Sequence, residues 1–474
     1  MKVLLIQPPH NYEGGQRYPE AFPLGLGYIA KVLMDAGHRV DVLDIWAKQY
    51  SDEEVAHMAA VADCDVIGIS AISTQYAYTK WLVAEIKKTR DTPVVIGNAL
   101  ATLTPEIVME HTQADVCVIG EGEITFKNVI DNLGNLESVK GIHFKQDGEI
   151  VKNKPQEYIK DLDSIDFPMR DIFPMDVYLK NCRVHGTNIP AMNLIAGRGC
   201  PYSCRFCSKT FAGLRLRSVD NIVAEIKMLI GKYGIKGVAF SDELVVINKD
   251  RMLELCDKIE PLEVKWSCQG RSNLVDYELL KRMKEAGCVS VGYGVESGSQ
   301  AILENMNKRI TVEQSRRAIE DTVKIGMRPL VQLMYGYPGE NDATLRETTE
   351  FLSSLPYITR STLSITTPLP GSELWDYAIS KGLIKDPEKY LAQLAGGYAH
   401  DAKSCGQLIN FTNFTREEFF QRLNDVEMTL FVNKLVKHPY ELVKDYFGRA
   451  KIQHKEGGMG GLVKRVVRFI KWVG

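Results

Sequence analysis

At 474 residues the chain is too long for one hydrophobic core and is expected to fold as two or three domains. Apolar residues make up 45% and charged residues 25%, the balance of a soluble globular protein rather than a disordered or membrane-embedded one. A net charge of −2 gives nucleic acid no general electrostatic handle, so no nucleic-acid partner is expected. The apolar run after Met1 is too short for a signal peptide and no stretch reaches a membrane span, which points to the cytoplasm.

Residues 1–165 alternate apolar β-rich runs with helical patterns. The runs 3–6, 40–44, 66–70, 94–97 and 116–120 read as strands, with helices predicted over 25–36, 79–88 and 105–111. Continuous apolar strands separated by helices predict an α/β, doubly wound, Rossmann-like parallel sheet covered on both faces. Ligands of such sheets bind at the carboxyl ends of the strands, which places Ser70, Gly97 and Gly120 around one site. The pattern over 141–151 is that of a β-hairpin turning on Asp147-Gly148. The polar, proline-bearing stretch that follows reads as an inter-domain linker, residues 166–190, packed along both neighbours.

The next domain opens on Gly197-Arg198-Gly199-Cys200-Pro201-Tyr202-Ser203-Cys204-Arg205-Phe206-Cys207, after the apolar run 192–196. Its C-x3-C-x2-C spacing lets one loop turn three thiolates toward one point, and thiolates are the ligands of iron–sulfur clusters. A [4Fe-4S] cluster held by Cys200, Cys204 and Cys207 alone keeps one iron open to a non-protein ligand. Structural zinc is the alternative; it needs a closed fourth ligand, for which Cys182 and His185 are the nearest candidates. The remaining cysteines of the ten are scattered, which suits reduced thiols in a reducing compartment.

Over 191–385 five more strand runs (237–240, 264–268, 289–293, 330–334 and 361–365) alternate with helical segments such as 218–233, 249–258 and 277–286. With the run before the cysteines they predict an open (β/α)6 partial TIM barrel whose chemistry sits at the C-terminal strand ends. Those ends carry Ser241-Asp242-Glu243, Gln269-Gly270-Arg271, Gly294-Val295-Glu296-Ser297-Gly298 and Gly336-Tyr337-Pro338-Gly339-Glu340.

Residues 386–474 are expected to be a small helical part. The stretch 386–415 reads as irregular, a candidate lid, followed by an amphipathic helix over 417–435 and a break at His438-Pro439. In 462–473 Leu462, Val463, Val466, Val467, Phe469, Ile470 and Val473 share one helical face, with Lys464, Arg465, Arg468 and Lys471 on the other. Either a basic membrane-surface helix carrying Trp472 or a helix packed on the protein produces this pattern.

The cysteine motif, with Phe206 before its third cysteine, resembles the signature of the radical S-adenosylmethionine (SAM) superfamily. The strand-end motifs resemble the elements of that domain in order and spacing. The pieces Pro23-Leu24-Gly25-Leu26-Gly27-Tyr28, Ser70-Ala71-Ile72-Ser73-Thr74 and Gly120-Glu121-Gly122-Glu123 resemble the cobalamin-binding domain that precedes many of its members. The resemblance implies three cofactors: a [4Fe-4S] cluster, SAM and cobalamin. It implies that Glu296, Arg271 and Ser241 contact the ribose or methionyl part of SAM, that the backbone near Phe206 holds the adenine, and that Gly336 to Gly339 let it pack closely. It further implies reductive cleavage of SAM to a 5′-deoxyadenosyl radical, fed by an external donor such as flavodoxin or ferredoxin.

No D-x-H-x-x-G stands in the chain, which argues against a histidine on cobalt, and Asn98 and Leu100 depart from the G-G-x-H-A-T of many relatives. Within this class the expectation is methyl transfer to an unactivated carbon of a small-molecule or lipid-like substrate, with peripheral membrane contact through the tail. The alternatives are a non-methylating oxidative cyclase of the anaerobic magnesium-protoporphyrin ester type and a degenerate corrinoid or membrane-surface binding protein. Methylthiotransfer is disfavoured, because only Cys64 and Cys117 lie in the first domain.

Overall fold

Strand β1 (Lys2–Gln7) is apolar almost throughout and buried on both faces, as the centre of a doubly wound sheet requires. The structure, a computed structural model, describes residues 1–10, 18–356, 360–394 and 409–443. With β2 (Arg39–Asp44), β3 (Val66–Ser70), β4 (Val94–Gly97) and β5 (Val116–Val118) it forms the parallel order β2-β1-β3-β4-β5. In that order the switch point lies between β1 and β3, where ligands of such sheets bind. The hairpin forms as expected, with Asp147 and Gly148 at φ 51° and 83° as a type I′ turn needs. Its strands β6 (Ile142–Gln146) and β7 (Glu149–Lys152) also extend the sheet antiparallel from β5, beyond the parallel sheet expected. Buried Ile142 and Phe144 join the core there and cover what would be an open edge.

The second sheet holds β8 (Met192–Leu194), and the chain then makes a small antiparallel ribbon of β9 (Gly197–Gly199) and β10 (Leu214–Leu216). It returns through β11 (Gly237–Phe240), β12 (Lys265–Gly270), β13 (Cys288–Glu296), β14 (Arg328–Tyr335) and β15 (Arg360–Ile365). All neighbours in the order β8-β11-β12-β13-β14-β15 are parallel, and the two end strands do not pair with each other. This is the open six-stranded barrel expected.

The stretch between the sheets is more ordered than a linker. It contains the helix Met175–Asn181 and grips both sides. Tyr178 donates a hydrogen bond to Asp44 of the first domain, while Arg170 pairs at 2.7 Å with buried Glu225 of the barrel. Phe22 stacks edge-on against both Phe173 and Tyr178, and its backbone exchanges two hydrogen bonds with the Asn193 amide of β8. One continuous core therefore runs through both sheets.

Residues 386–394 correct the irregular reading: Asp386 caps a helix, Pro387–Gln393, that starts on proline. Its Tyr390 and Leu391 are buried against the first domain. The helix Arg416–Lys437 begins with a Thr415/Glu418 capping box and seats Phe419 on Tyr335 of β14. Among the described residues no helix is long and apolar enough to cross a membrane. Cys405 and the basic tail lie outside the described residues.

Candidate active site

The cysteine loop leaves β8 and is clamped at its stem by the β9–β10 ribbon. Gly199 has φ +83°, and a Cβ there would stand 2.3 Å from the Gly213 carbonyl oxygen, so only glycine fits beside Cys200. The buried Asp242 carboxylate accepts the backbone N–H groups of Ala196 and Gly197 at 2.6–2.8 Å and anchors the stem from beneath. From the other side the loop after residue 304 holds it. Arg205 N–H donates to the Met306 carbonyl, and the Asn307 amide donates to the Ser203 carbonyl at 2.7 Å.

Burial is the main cause that raises the Asp242 pKa, to about 7. The folded state thus favours neutral Asp242, so its stabilising contribution is full below its unfolded value and is lost as pH rises toward about 7. Asp242→Asn keeps an acceptor oxygen but no titration. Its melting temperature relative to wild type is expected to climb between about pH 5 and about pH 7. A difference that is flat across that window would exclude Asp242 as the titrating group.

Cys204 is buried, Cys200 half-buried and Cys207 exposed. A hydrogen bond from Cys207, followed by the cations Lys308 and Arg271, lowers the Cys204 pKa to about 6 despite burial, while the same bond holds the Cys207 thiol up. Burial raises the Cys200 thiol. Among the described residues no three His, Cys, Asp or Glu side chains converge as a cage for a single ion. A cubane does not ask for that, since its three thiolates bond three different irons. The zinc alternative loses its fourth ligand. Cys182 and His185 lie at the opposite end of the barrel, where Arg183 bridges Pro190 before β8 and Ser290 donates to the His185 carbonyl at the start of β13.

Arg271 follows β12 and lays its guanidinium 3.7 Å over the Tyr202 ring, with one nitrogen 3.9 Å from the Cys204 sulfur. A further guanidinium nitrogen of this buried arginine has no hydrogen-bond partner. Glu296 ends β13 at φ 68° and pairs at 2.7 Å with Lys308, whose ammonium lies 5.4 Å from the Phe206 ring. These residues converge on the cysteine loop. Gly336 and Gly339 flank Tyr337, whose ring meets the Phe206 ring edge-on at 6.5 Å. The space beside the Gly336 Cα is filled by the Phe419 ring, and Gly339 faces Asn305 and Ile302.

A cleft of about 330 Å³ lies between the C-terminal strand ends of the two sheets. Ser70, Gly97 and Gly120 line one wall, with Ser241, Asp242 and the stem glycines on the other. A Cβ at Gly25 would meet nothing within 4 Å and one at Gly97 only Val118 at 4.0 Å, so both glycines leave room toward the cavity. Asn98 takes a left-handed φ of 73° and turns its side chain back to the Ser70 hydroxyl at 3.1 Å and to Ala99 N–H, so a glycine-like backbone survives the departure in sequence. Leu100 is core. Among the described residues no histidine lines the cleft, and His10 packs instead on Trp46.

The donor set fits the groups that the resemblance implies. Three thiols share one loop, one nitrogen of the buried Arg271 guanidinium is left without a hydrogen-bond partner beside them, and the glycine-floored cleft opens next door. Several participants escaped the sequence reading. Lys308 sits in a polar run without a motif, and the pairing of Glu121 and Glu123 with Arg198 spans more than 70 residues.

Comparison with known proteins agrees. Residues 14–130 match the B12 binding domain and residues 194–352 the radical SAM superfamily. An "uncharacterized methyltransferase" of Pyrococcus horikoshii is 31% identical, covering 99% of this chain and 97% of the relative. The anaerobic magnesium-protoporphyrin IX monomethyl ester cyclase of Rubrivivax gelatinosus is 28% identical over 82% of this chain and 72% of the cyclase. The structure of the radical SAM methyltransferase TsrM from Kitasatospora setae, with cobalamin and a [4Fe-4S] cluster, superposes with a TM-score of 0.68 at 18% identity. That superposition covers 81% of this chain and 78% of TsrM. From the matched domains, the near full-length relative and the shared architecture, the chain belongs to the radical SAM superfamily, in its branch with an N-terminal B12-binding domain.

Proposed function

We propose that this enzyme is a methyltransferase that methylates an unactivated carbon of a small-molecule substrate. One observation carries the reading: the glycine-floored strand ends of the B12-binding domain and the stem of the cysteine loop form opposite walls of a single cleft. Bound together there, cobalamin, SAM and the cluster supply a methyl group and a hydrogen-abstracting radical. Cys200, Cys204 and Cys207 hold the cluster. Arg271, Glu296 and Ser241 orient SAM, with the backbone at Phe206 against its adenine. Ser70, Gly97 and Gly120 receive the corrin. The relative that matches nearly the whole chain is itself named a methyltransferase, which favours methyl transfer over cyclisation.

Anaerobic reconstitution with iron, sulfide and hydroxocobalamin tests the proposal. Corrinoid retained in proportion to protein, and conversion of SAM to 5′-deoxyadenosine and S-adenosylhomocysteine under reduction, are expected. Iron-loaded protein that cleaves SAM but takes up no corrinoid would exclude methyl transfer and leave the cyclase reading.

The external reductant is a small electron-transfer protein of the flavodoxin or ferredoxin type. The lipid-like substrate and membrane contact rest on the sequence of the tail, where Lys464, Arg465, Arg468 and Lys471 stand opposite an apolar helical face. Each Lys or Arg near an acidic leaflet contributes about 1 kcal/mol, so binding is expected to be salt-sensitive. Full-length protein should co-sediment with anionic vesicles and a chain ending at Glu456 should not. Equal sedimentation of both removes the membrane claim.

A further inference from the structure

We infer that Arg198 is a positioning residue whose guanidinium, forked across Glu121 and Glu123, sets the distance between the cysteine loop and the B12-binding domain. Glu121 N-caps the helix Gly122–Asp131 but makes no side-chain cap bond, and Glu123 lies in its first turn. Their carboxylates are turned across the domain boundary instead. Arg198 reaches Glu121 at 2.6 Å with one nitrogen and Glu123 at 2.5 Å with the other, and all three side chains are less than one-tenth exposed. Arg198 stands in β9, two residues before Cys200.

The ribbon itself depends on this contact. Across it Arg198 pairs directly with Arg215, and like charges in register destabilise a strand pair. Arg215 also reaches both oxygens of Glu121 at 2.8 Å, so one carboxylate of the first domain lies between two facing cations of the second. The Ile159 N–H donates to the same carboxylate at 2.7 Å, and the Tyr28 and Tyr158 rings lie 5.3 Å and 4.8 Å from the Arg198 and Arg215 guanidinium carbons. Two acids and two bases balance in a buried setting. Such a network adds little net stability over apolar packing, because desolvation offsets the attraction. What a bidentate guanidinium adds is direction and distance. Docking on the B12-binding domain therefore steadies a stem that Asp242 and the strand pairing already hold, and it fixes where the cluster stands relative to the cleft wall.

The inference rests on the reading that this cleft takes both cofactors, and its test separates the two. In the full-length apoprotein, Arg198→Ala is expected to speed hydrogen exchange at residues 197–199 and 214–216 by about tenfold or more, the loss of a coupling of about 1.4 kcal/mol. Exchange there equal to wild type overturns the inference whatever the cofactors do. After reconstitution with iron, sulfide and hydroxocobalamin, iron should be retained and 5′-deoxyadenosine formation should fall no more than about threefold, while hydroxocobalamin affinity falls about tenfold. The magnetic interaction between reduced cluster and Co(II) should weaken, which a merely stabilising residue would not alter. Iron, SAM cleavage and corrinoid lost in parallel would make Arg198 a support of the cluster loop alone and overturn the inference. A wild-type protein without corrinoid uptake would instead defeat the methyltransferase reading and leave the exchange result to decide on Arg198. Should Arg198→Ala not fold, Arg198→Met with Glu123→Gln keeps the charge balance, leaves Glu121 on Arg215, and is expected to give the same pattern.

Discussion

Replacing Cys200, Cys204 and Cys207 together with alanine is expected to abolish iron incorporation and the conversion of SAM to 5′-deoxyadenosine, while the apoprotein still folds. The loss follows from ligand chemistry, since no other cysteine shares their loop to bond an iron. Retention of the fold follows from where the loop is held. Its stem is fixed by Asp242, by the β9–β10 pairing and by the Arg198 fork, none of which involves a cysteine side chain. The lowered Cys204 pKa, which Lys308 and Arg271 assist, makes thiolate available for loading near neutral pH. Iron content per chain, 5′-deoxyadenosine yield and a thermal melt of the apoprotein check the three parts. Iron bound as fully as in wild type would falsify the cluster assignment.

Sequence reading works here wherever structure is local. Strands such as β1, β3, β4 and β11 are nearly continuous apolar runs, and strands buried on both faces announce themselves in that way. The helix Pro105–His111 matches its expected bounds because proline at its first position marks the start. Where a residue serves a distant partner the signal fails. Helix Gly122–Asp131 lacks a cap signature because Glu121, its N-cap, gives its carboxylate to Arg198 and Arg215. Strands β9 and β10 have three residues each and close across the whole cysteine loop, so no period shows them. The cysteines, Arg271, Glu296 and the cleft residues Ser70, Gly97, Gly120 and Ser241 were readable as strand-end motifs. Asp242 as stem anchor and Lys308 as partner of Glu296 were not, because their roles exist only in the folded contacts. The short helix Pro387–Gln393 did carry an Asp-Pro start, but the glycines after it favour an irregular reading, and its burial against the first domain is a tertiary fact.

Gly199→Ala is expected to remove nearly all cluster incorporation, whereas Gly213→Ala, in the same loop, should largely keep it. Both glycines have a left-handed φ, +83° and +71°, so alanine costs each about 1–2 kcal/mol of backbone strain. The difference lies in the space. A Cβ at Gly213 would meet no atom within 4 Å, while one at Gly199 would stand 2.3 Å from the Gly213 carbonyl oxygen and 3.3 Å from its carbon. Backbone cannot rotate aside as a side chain does, so the Gly199↔Leu214 register must open to admit the methyl group. Opening it swings Cys200, the next residue, away from the position the cluster requires, and it loosens the strand that carries Arg198. Misplacement by about 1 Å at such a site costs about 100-fold in rate. Iron content and 5′-deoxyadenosine formation of the two variants, reconstituted side by side, decide the matter. Equal iron in both would show that the ribbon's register is not what holds Cys200 in place.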